Sequence, residues 1–400
     1  MNYISKKLFM GLIYKIKLTY KEGRLLSVIF QKTRPYFRGL ILIFFPNKYL
    51  RKIKIYDPIK IKSKVSKEDK LIHRLFLSYS RMINDQEKKY GEFKPSSAWQ
   101  KFLDTEYSIL RKSVETNSIE DFNFFLQNFG SWDKYQGIEN TTLIKNNNNF
   151  FRKRFLKNDV FYKSLKQWKW ITNNRYPISD LSYPRFGNQV GAMIEGNFVG
   201  TGSFFNDYYG RIFENIVSDK KRPIIGDLGG GYGKLGYFTL RNLKEFSFID
   251  FDIPEILTLA SFYLLSSFPE KNFLLYGEEK FDKNSFKKFD LIFMPPWEIK
   301  SLEDNSIDLF INKNSLGEMS MDSVDSYIKH ITRSTKYFFH LNHEFHRNYF
   351  SNGETSYINQ EYKIPDDMKL VIRYPDLGHL LYMGSLDYNM DIFFYLFEKK

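Results

Sequence analysis

Pro223–Gly236, PIIGDLGGGYGKLG, constrains this chain more than any other stretch. Ile224 and Ile225 lead into an acid, Asp227. A glycine run follows, Gly229-Gly230-Gly231-Tyr232-Gly233, and then Lys234-Leu235-Gly236-Tyr237-Phe238. The pattern predicts a buried strand, a tight loop of little bulk and the first turn of a helix. Glycines there let the backbone turn sharply and approach a ligand without Cβ clashes. The amide groups of a helix start suit a negatively charged group.

From Pro223 onward the sequence alternates strand and helix. Strands are predicted at Pro223–Leu228, Phe246–Phe251, Asn272–Tyr276, Phe289–Met294, Ile307–Asn312 and Lys336–Leu341, with helices at Glu255–Ser267 and Asp322–Thr332. Such alternation implies an α/β fold, a mostly parallel sheet with helices on both faces. Leu370–Arg373 and Met390–Phe397 are expected as late strands, an antiparallel pair at the sheet edge. The simplest arrangement has about seven strands, so Asn272–Tyr276 and Phe289–Met294 compete for the third position.

Upstream, residues 71–200 form a mainly helical region. Leu71, Leu75, Tyr79 and Met82 fall at helical spacing, as do Trp99, Phe102, Tyr107 and Leu110. Trp168 and Trp170 are expected in the core. Arg175–Gly202, rich in Gly and Pro, is expected as a loop on the acceptor side of the site, and Phe204–Val217 as an amphipathic helix. Residues 201–400 are then the ligand-binding domain.

Charge separates the remaining part. Residues 1–70 hold 18 Lys+Arg against 4 Asp+Glu, which accounts for the whole net charge of +14 and leaves the rest neutral. A nucleic-acid enzyme is expected to carry a basic patch on its body, so no nucleic-acid partner is expected. The basic arm alternates apolar and cationic residues. Its apolar stretch Gly39–Pro46 is far shorter than the roughly 20 residues of a spanning helix. Two readings stay open: an arm lying on an anionic membrane surface, or a subdomain packed on the body. The location implied is cytoplasmic, with a peripheral position at the inner membrane under the first reading. The chain has no cysteine, which excludes disulfides and thiolate metal sites.

The ligand follows from the acid before the glycines. Gly231-x-Gly233-x-x-Gly236 also fits a dinucleotide fingerprint, but Asp227 would face a pyrophosphate with like charge. It would instead attract an ammonium group. The pattern Asp227-x-Gly229-x-Gly231-x-Gly233 therefore points to S-adenosylmethionine, whose α-amino group and carboxylate use the acid and the loop amides together. The second strand ends in Asp250-Phe251-Asp252-Ile253-Pro254. Asp252 lies 21 residues after Gly231, placed to accept ribose hydroxyls, with Asp250 as the alternative. Ile253 is expected against the adenine edge, and Trp297 of Met294-Pro295-Pro296-Trp297 as an adenine wall.

Carboxyl ends of parallel strands line the ligand crevice. The fourth strand runs into Lys313-Asn314-Ser315-Leu316-Gly317-Glu318, a polar cluster suited to an acceptor. The fifth ends in His340-Leu341-Asn342-His343-Glu344-Phe345-His346. Strand alternation sends His340 and His343 to opposite faces, so no metal site is expected. His343 is a candidate general base.

At these residues the chain resembles a family of sugar O-methyltransferases from bacterial glycan gene clusters. The resemblance lies in IIGDLGGGYGKLGYF, FIDFDIPEILTLASFYL, SIDLFINKNSLGEMS and FFHLNHEF, with Pro184-x-x-Gly187-Asn188 before them, and covers roughly residues 95–400. It implies a Rossmann-like class I methyltransferase sheet, a sugar or glycan acceptor and S-adenosylmethionine as cofactor. The Asp-Ile-Pro-Glu segment is also similar to the Asp-Leu-Pro motif of small-molecule O-methyltransferases, whose matching Asp binds the cofactor ribose, which favours Asp252. Those enzymes carry a catalytic histidine just after the fourth strand. Asn314-Ser315-Leu316-Gly317-Glu318 stands there instead, leaving Glu318 and His343 as nominees for the base and Asn314 beside them. The alternatives are a small-molecule or RNA methyltransferase and a non-catalytic scaffold of the same fold.

Overall fold

The computed structural model describes residues 53–56, 69–131, 157–200, 202–378 and 391–400. Nearly all of the basic arm lies outside these residues. The exceptions are Asp69, Lys70 and the strand β1 (Ile53–Tyr56).

The predicted α/β architecture is present as a Rossmann-like, mostly parallel sheet. Its strands are β4 (Ile224–Leu228), β5 (Ser247–Phe251), β6 (Phe273–Leu275), β7 (Leu291–Met294), β8 (Ile307–Lys313), β9 (Thr335–His343), β10 (Met368–Pro375) and β11 (Ile392–Lys399). They lie in the order β10-β11-β9-β8-β4-β5-β7-β6. β4 through β9 are parallel, and β11 runs antiparallel between β9 and β10. Eight strands replace the seven expected. β7 takes the third position beside β5, and β6, the other claimant, extends the edge beyond it. Strands such as β5 and β7 are buried along their whole length, and their continuous apolar runs follow from having both faces covered.

The crossover helices are α7 (Lys234–Leu240) after β4, α8 (Pro254–Ser267) after β5, the single turn α9 (Ser285–Lys288) before β7 and α10 (Met321–Ser334) before β9. Pro254 sits at the first helical position of α8, where its missing N–H costs nothing. Ser320 caps α10 by accepting from the Ser323 amide. α6 (Ser203–Ile216) packs on α7.

The N-terminal helices are α1 (Lys70–Lys89), α2 (Ser97–Thr105), α3 (Ser108–Glu115), α4 (Ile119–Asn128) and α5 (Lys157–Ile171). α1 lies against α8, and its Ile72, Leu75 and Tyr79 join the same apolar cluster as the sheet. Two expectations change here. The Arg175–Gly202 loop contains a hairpin, β2 (Gly191–Ile194) and β3 (Asn197–Val199), turning through Glu195 and Gly196, both at positive φ. β1 pairs with β2 to make a separate three-stranded sheet. Trp168 is buried and donates to Asp207 (2.7 Å), whereas Trp170 is 77% exposed, because the two point to different sides of α5. Among the described residues no helix is long and apolar enough to cross a membrane.

Candidate functional site

The site is built where β4, β5, β8 and β9 end. After β4 the chain turns through Gly229, Gly231 and Gly233, all at positive φ, and Gly233 caps α7. A side chain at Gly229 would run into Ser315, and one at Gly233 would meet Leu264 at 2.9 Å. The loop therefore lies tight against its neighbours and stays bare toward the cleft.

The neighbouring strand ends are tied to this loop by polar side chains. Asn312 Nδ2 and Ser315 Oγ both donate to the carbonyl of Leu228, each at 2.9 Å. Asn342 donates to Asn312 (2.9 Å) and accepts from the Gly317 amide (3.2 Å). These bonds hold β4, β8 and β9 in fixed relation at the point where their backbones stop pairing.

Three carboxylates gather at the loop. Asp227 and Asp250 are register partners on β4 and β5, and both are buried. Asp227 Oδ2 and Asp250 Oδ1 each lie 3.0 Å from where a Gly230 Cβ would stand. Asp252 Oδ2 accepts from the Gly231 amide (3.3 Å), and Oδ1 from the Ile253 amide (2.8 Å). Desolvation raises Asp227 to about 7, against the opposing pull of Lys313 and the Leu228 amide. Burial also pushes Asp250 well up, and Asp227 and Asp252 add to that. Burial raises Asp252 too, against the two amides that favour its charge, although part of its surface meets solvent. Neither oxygen of Asp250 has a hydrogen bond of ordinary geometry; the Gly230 amide faces it and favours its charge only weakly.

Beyond Asp252 and Ile253, the first turn of α8 meets the helical layer. Glu255, fully buried, pairs with Arg111 of α3 (2.6 Å). Trp297 is buried edge-on against Tyr90 (5.2 Å) and Tyr276 (5.9 Å). The Tyr90 hydroxyl is buried without a partner.

The acceptor side lies across β8 and β9. Asn314 is exposed, sits at positive φ and donates its backbone N–H to the Leu341 carbonyl (2.7 Å). Glu318 accepts from Trp99 Nε1 (2.8 Å), which brings α2 over this edge of the cleft. His343 lies against the same segment: a Cβ on Gly317 would stand 3.1 Å from its ring. His343 Nδ1 meets Asp391 Oδ2 at 2.6 Å. The other Asp391 oxygen accepts from the amides of Phe345 (2.6 Å) and His346 (2.9 Å). Burial alone would raise Asp391, but His343 and these amides outweigh it and hold the carboxyl below its ordinary range.

His340 and His343 separate as strand alternation requires, whereas the rings of His343 and His346, the latter beyond the end of β9, meet edge-on at 5.8 Å. His340 is buried, stacked on Tyr395 (4.8 Å), and burial pushes its imidazole down to about 3. Among the described residues no group of three or more His, Asp or Glu is placed to hold a metal ion.

Asp227, Gly229, Gly231, Gly233, Asp252 and Ile253 thus lie around one loop, with Trp297 beyond them and Asn314, Glu318 and His343 at the adjoining strand ends. Sequence reasoning missed Asp391, because its partnership with His343 comes from the pairing of β9 with β11, where His343 faces Ile392. It also missed Trp99, which read only as a member of a helical stripe, and Tyr90, on which it made no reading. Asp250 was named there only as the alternative to Asp252 for the ribose, not as a partner of Asp227.

No protein-family model matches this chain, and no curated protein matches it significantly. Among solved structures it is similar to the mitomycin 7-O-methyltransferase MmcR, at 12% identity over 49% of this chain and 57% of that one, with a TM-score of 0.30. It is similar to the cyclase SpnF, at 12% identity over 48% of this chain and 80% of that one, with a TM-score of 0.33. It is also similar to the geranyl diphosphate C-methyltransferase from Streptomyces coelicolor A3(2), at 10% identity over 48% and 76%, with a TM-score of 0.33. The match spans little more than half the length of MmcR, and these likenesses are ones of architecture alone.

Proposed function

We propose that this chain is an S-adenosylmethionine-dependent O-methyltransferase acting on a hydroxyl of a sugar or glycan. The observation that carries the reading is the three-carboxylate cluster at a glycine loop that is otherwise bare. A pyrophosphate would be repelled there, whereas a ligand bearing an ammonium group and two ribose hydroxyls meets acceptors for both. The buried, unsatisfied oxygens of Asp250 and the Tyr90 hydroxyl fit a site that a polar ligand completes. Asp227 and the loop would hold the aminoacyl end, Asp252 the ribose, and Ile253 and Trp297 the base. The sugar class of acceptor rests on the sequence resemblance in SIDLFINKNSLGEMS and FFHLNHEF.

When bound, S-adenosylmethionine supplies an electrophilic methyl group with a neutral leaving group. The chain's own work is to align the acceptor oxygen and remove its proton. With Asp391 ionised, the proton of His343 sits on Nδ1, leaving Nε2 to accept. Asp391 then stabilises the imidazolium that forms, as a carboxylate does beside any catalytic histidine. Glu318, held by Trp99, orients the acceptor hydroxyl, with Asn314 at the rim of the cleft. We also propose that residues 1–70, whose strand β1 pairs with β2 of the body, bring the enzyme to an anionic membrane surface.

Calorimetry with S-adenosylmethionine, followed by methyl transfer from labelled donor to a panel of sugars, tests the reading. Binding is expected, weakened about 10- to 100-fold by Asp252→Ala, the range for losing hydrogen bonds to a charged group. No binding, or equal binding by the variant, would overturn the cofactor assignment.

A further inference from the structure

The reading above counts Asp250 in the carboxylate cluster but assigns it no group of the ligand. Asp250 is fully buried, and neither of its oxygens has an ordinary hydrogen bond. Its register partner Asp227 faces it across the strand pair, and both point at Gly230. Each has an oxygen 3.0 Å from the same point, so no more than about 6 Å separates those oxygens. No water-exposed surface screens them. The other charged and titratable groups facing this cluster add little relief. Asp252 and, beyond it, Glu318 are further acids, and Tyr90 and Tyr327 are neutral. Lys313 of β8 is the cation that favours the charge of Asp227, and it lies on the Asp227 side of the pair.

Two buried carboxylates at this separation do not both ionise without a cation between them. We infer that Asp227 and Asp250 carry one proton as a pair in the free protein, and that an ammonium group docking at the glycine loop expels it. Both acids close on the backbone of Gly230, which has no side chain to hold them off, so the glycine loop is where an ammonium group would meet the pair. The balance is simple: the pair loses a proton to solvent, and the ligand's N–H groups take its place as donors. Binding of an aminoacyl nucleoside is then linked to proton release, and its affinity rises with pH until the free pair is fully ionised. A nucleoside without the amino-acid portion leaves the proton where it is. The inference rests on the cofactor reading, and it makes Asp250 the residue that selects ligands carrying an ammonium group.

The test is calorimetry on the full chain at pH 7 in two buffers of different ionisation enthalpy. S-Adenosylhomocysteine and 5′-methylthioadenosine serve as probes. The first is expected to release about one proton per site and the second none, with affinity for the first rising up to about tenfold per pH unit below the titration of the pair. Asp250→Asn mimics the protonated acid, since its amide can still donate toward Asp227. It is expected to bind S-adenosylhomocysteine without proton release and with affinity flat between pH 6 and 8. Equal release for both ligands, or equal release by wild type and variant, would sink the idea. If S-adenosylhomocysteine binds without releasing a proton, this inference fails and the cofactor reading stands; if it does not bind, both fail. The comparison of the two ligands needs no variant, so it decides even if Asp250→Asn does not fold.

Discussion

His343 and Asp391 form the pair on which proton removal depends. Asp391→Asn keeps an oxygen for the amides of Phe345 and His346 but no longer stabilises a proton on the ring. We expect kcat to fall by about 10²–10⁴, the usual contribution of a positioned base, with the affinity for S-adenosylhomocysteine unchanged. Asp391→Glu should restore part of the rate. Steady-state kinetics beside calorimetry separates this from a structural role, which would lower binding and rate together. His343 was legible in the sequence because its residue type and strand-end position carry meaning. Asp391 was not, because antiparallel register joins residues 48 apart for reasons the local sequence does not contain. Asp250 fell between these cases: the residue was visible, but its burial beside Asp227 came from strand pairing.

The helical layer and the sheet meet through a few polar ties. Arg111 of α3 reaches Glu255 in the first turn of α8, and Trp99 of α2 reaches Glu318. Ser97 of α2 also bonds to Ser351 beyond β9. Of these, the Glu255 tie bears most on stability, because the carboxylate is fully buried. Arg111→Met should destabilise the protein by about 3 kcal/mol, the lower end for stranding a buried charge. Adding Glu255→Leu should recover most of that loss, since the stranded charge is then gone. Urea unfolding of the single and double variants checks both; a double variant as unstable as the single one would show that the pair matters for something other than its charge. The β4–β9 strands were readable from their apolar runs, a direct result of burial on both faces. The β2–β3 hairpin was not. Its two short strands alternate weakly, and Glu195 takes the left-handed position that asparagine or glycine would have announced. Trp170 shows the same limit: tryptophan favours the interior on average, but the side of α5 on which it falls faces solvent.

At the scale of the molecule, charge is divided in a way that folding does not require. The +14 is confined to residues 1–70, and the rest sums to zero. A membrane-directed arm predicts that the full chain sediments with vesicles containing anionic lipid, and that this weakens steeply as salt rises from 0.05 to about 0.5 M. Neutral vesicles should not bind it. Equal binding to both, or binding indifferent to salt, would refute the arm. The placement of β11 has a separate consequence for how the protein is made. β11 is synthesised after β10 yet lies between β9 and β10. Until the ribosome has added it, β10 has no strand to pair with, and Leu370, Val371 and Ile372, already exposed in the finished fold, stand on an unpaired segment. The nascent chain therefore passes through a stage in which its ligand loop is complete but its sheet is open. That stage is the one in which a chaperone, or a neighbouring nascent chain, has a strand to capture.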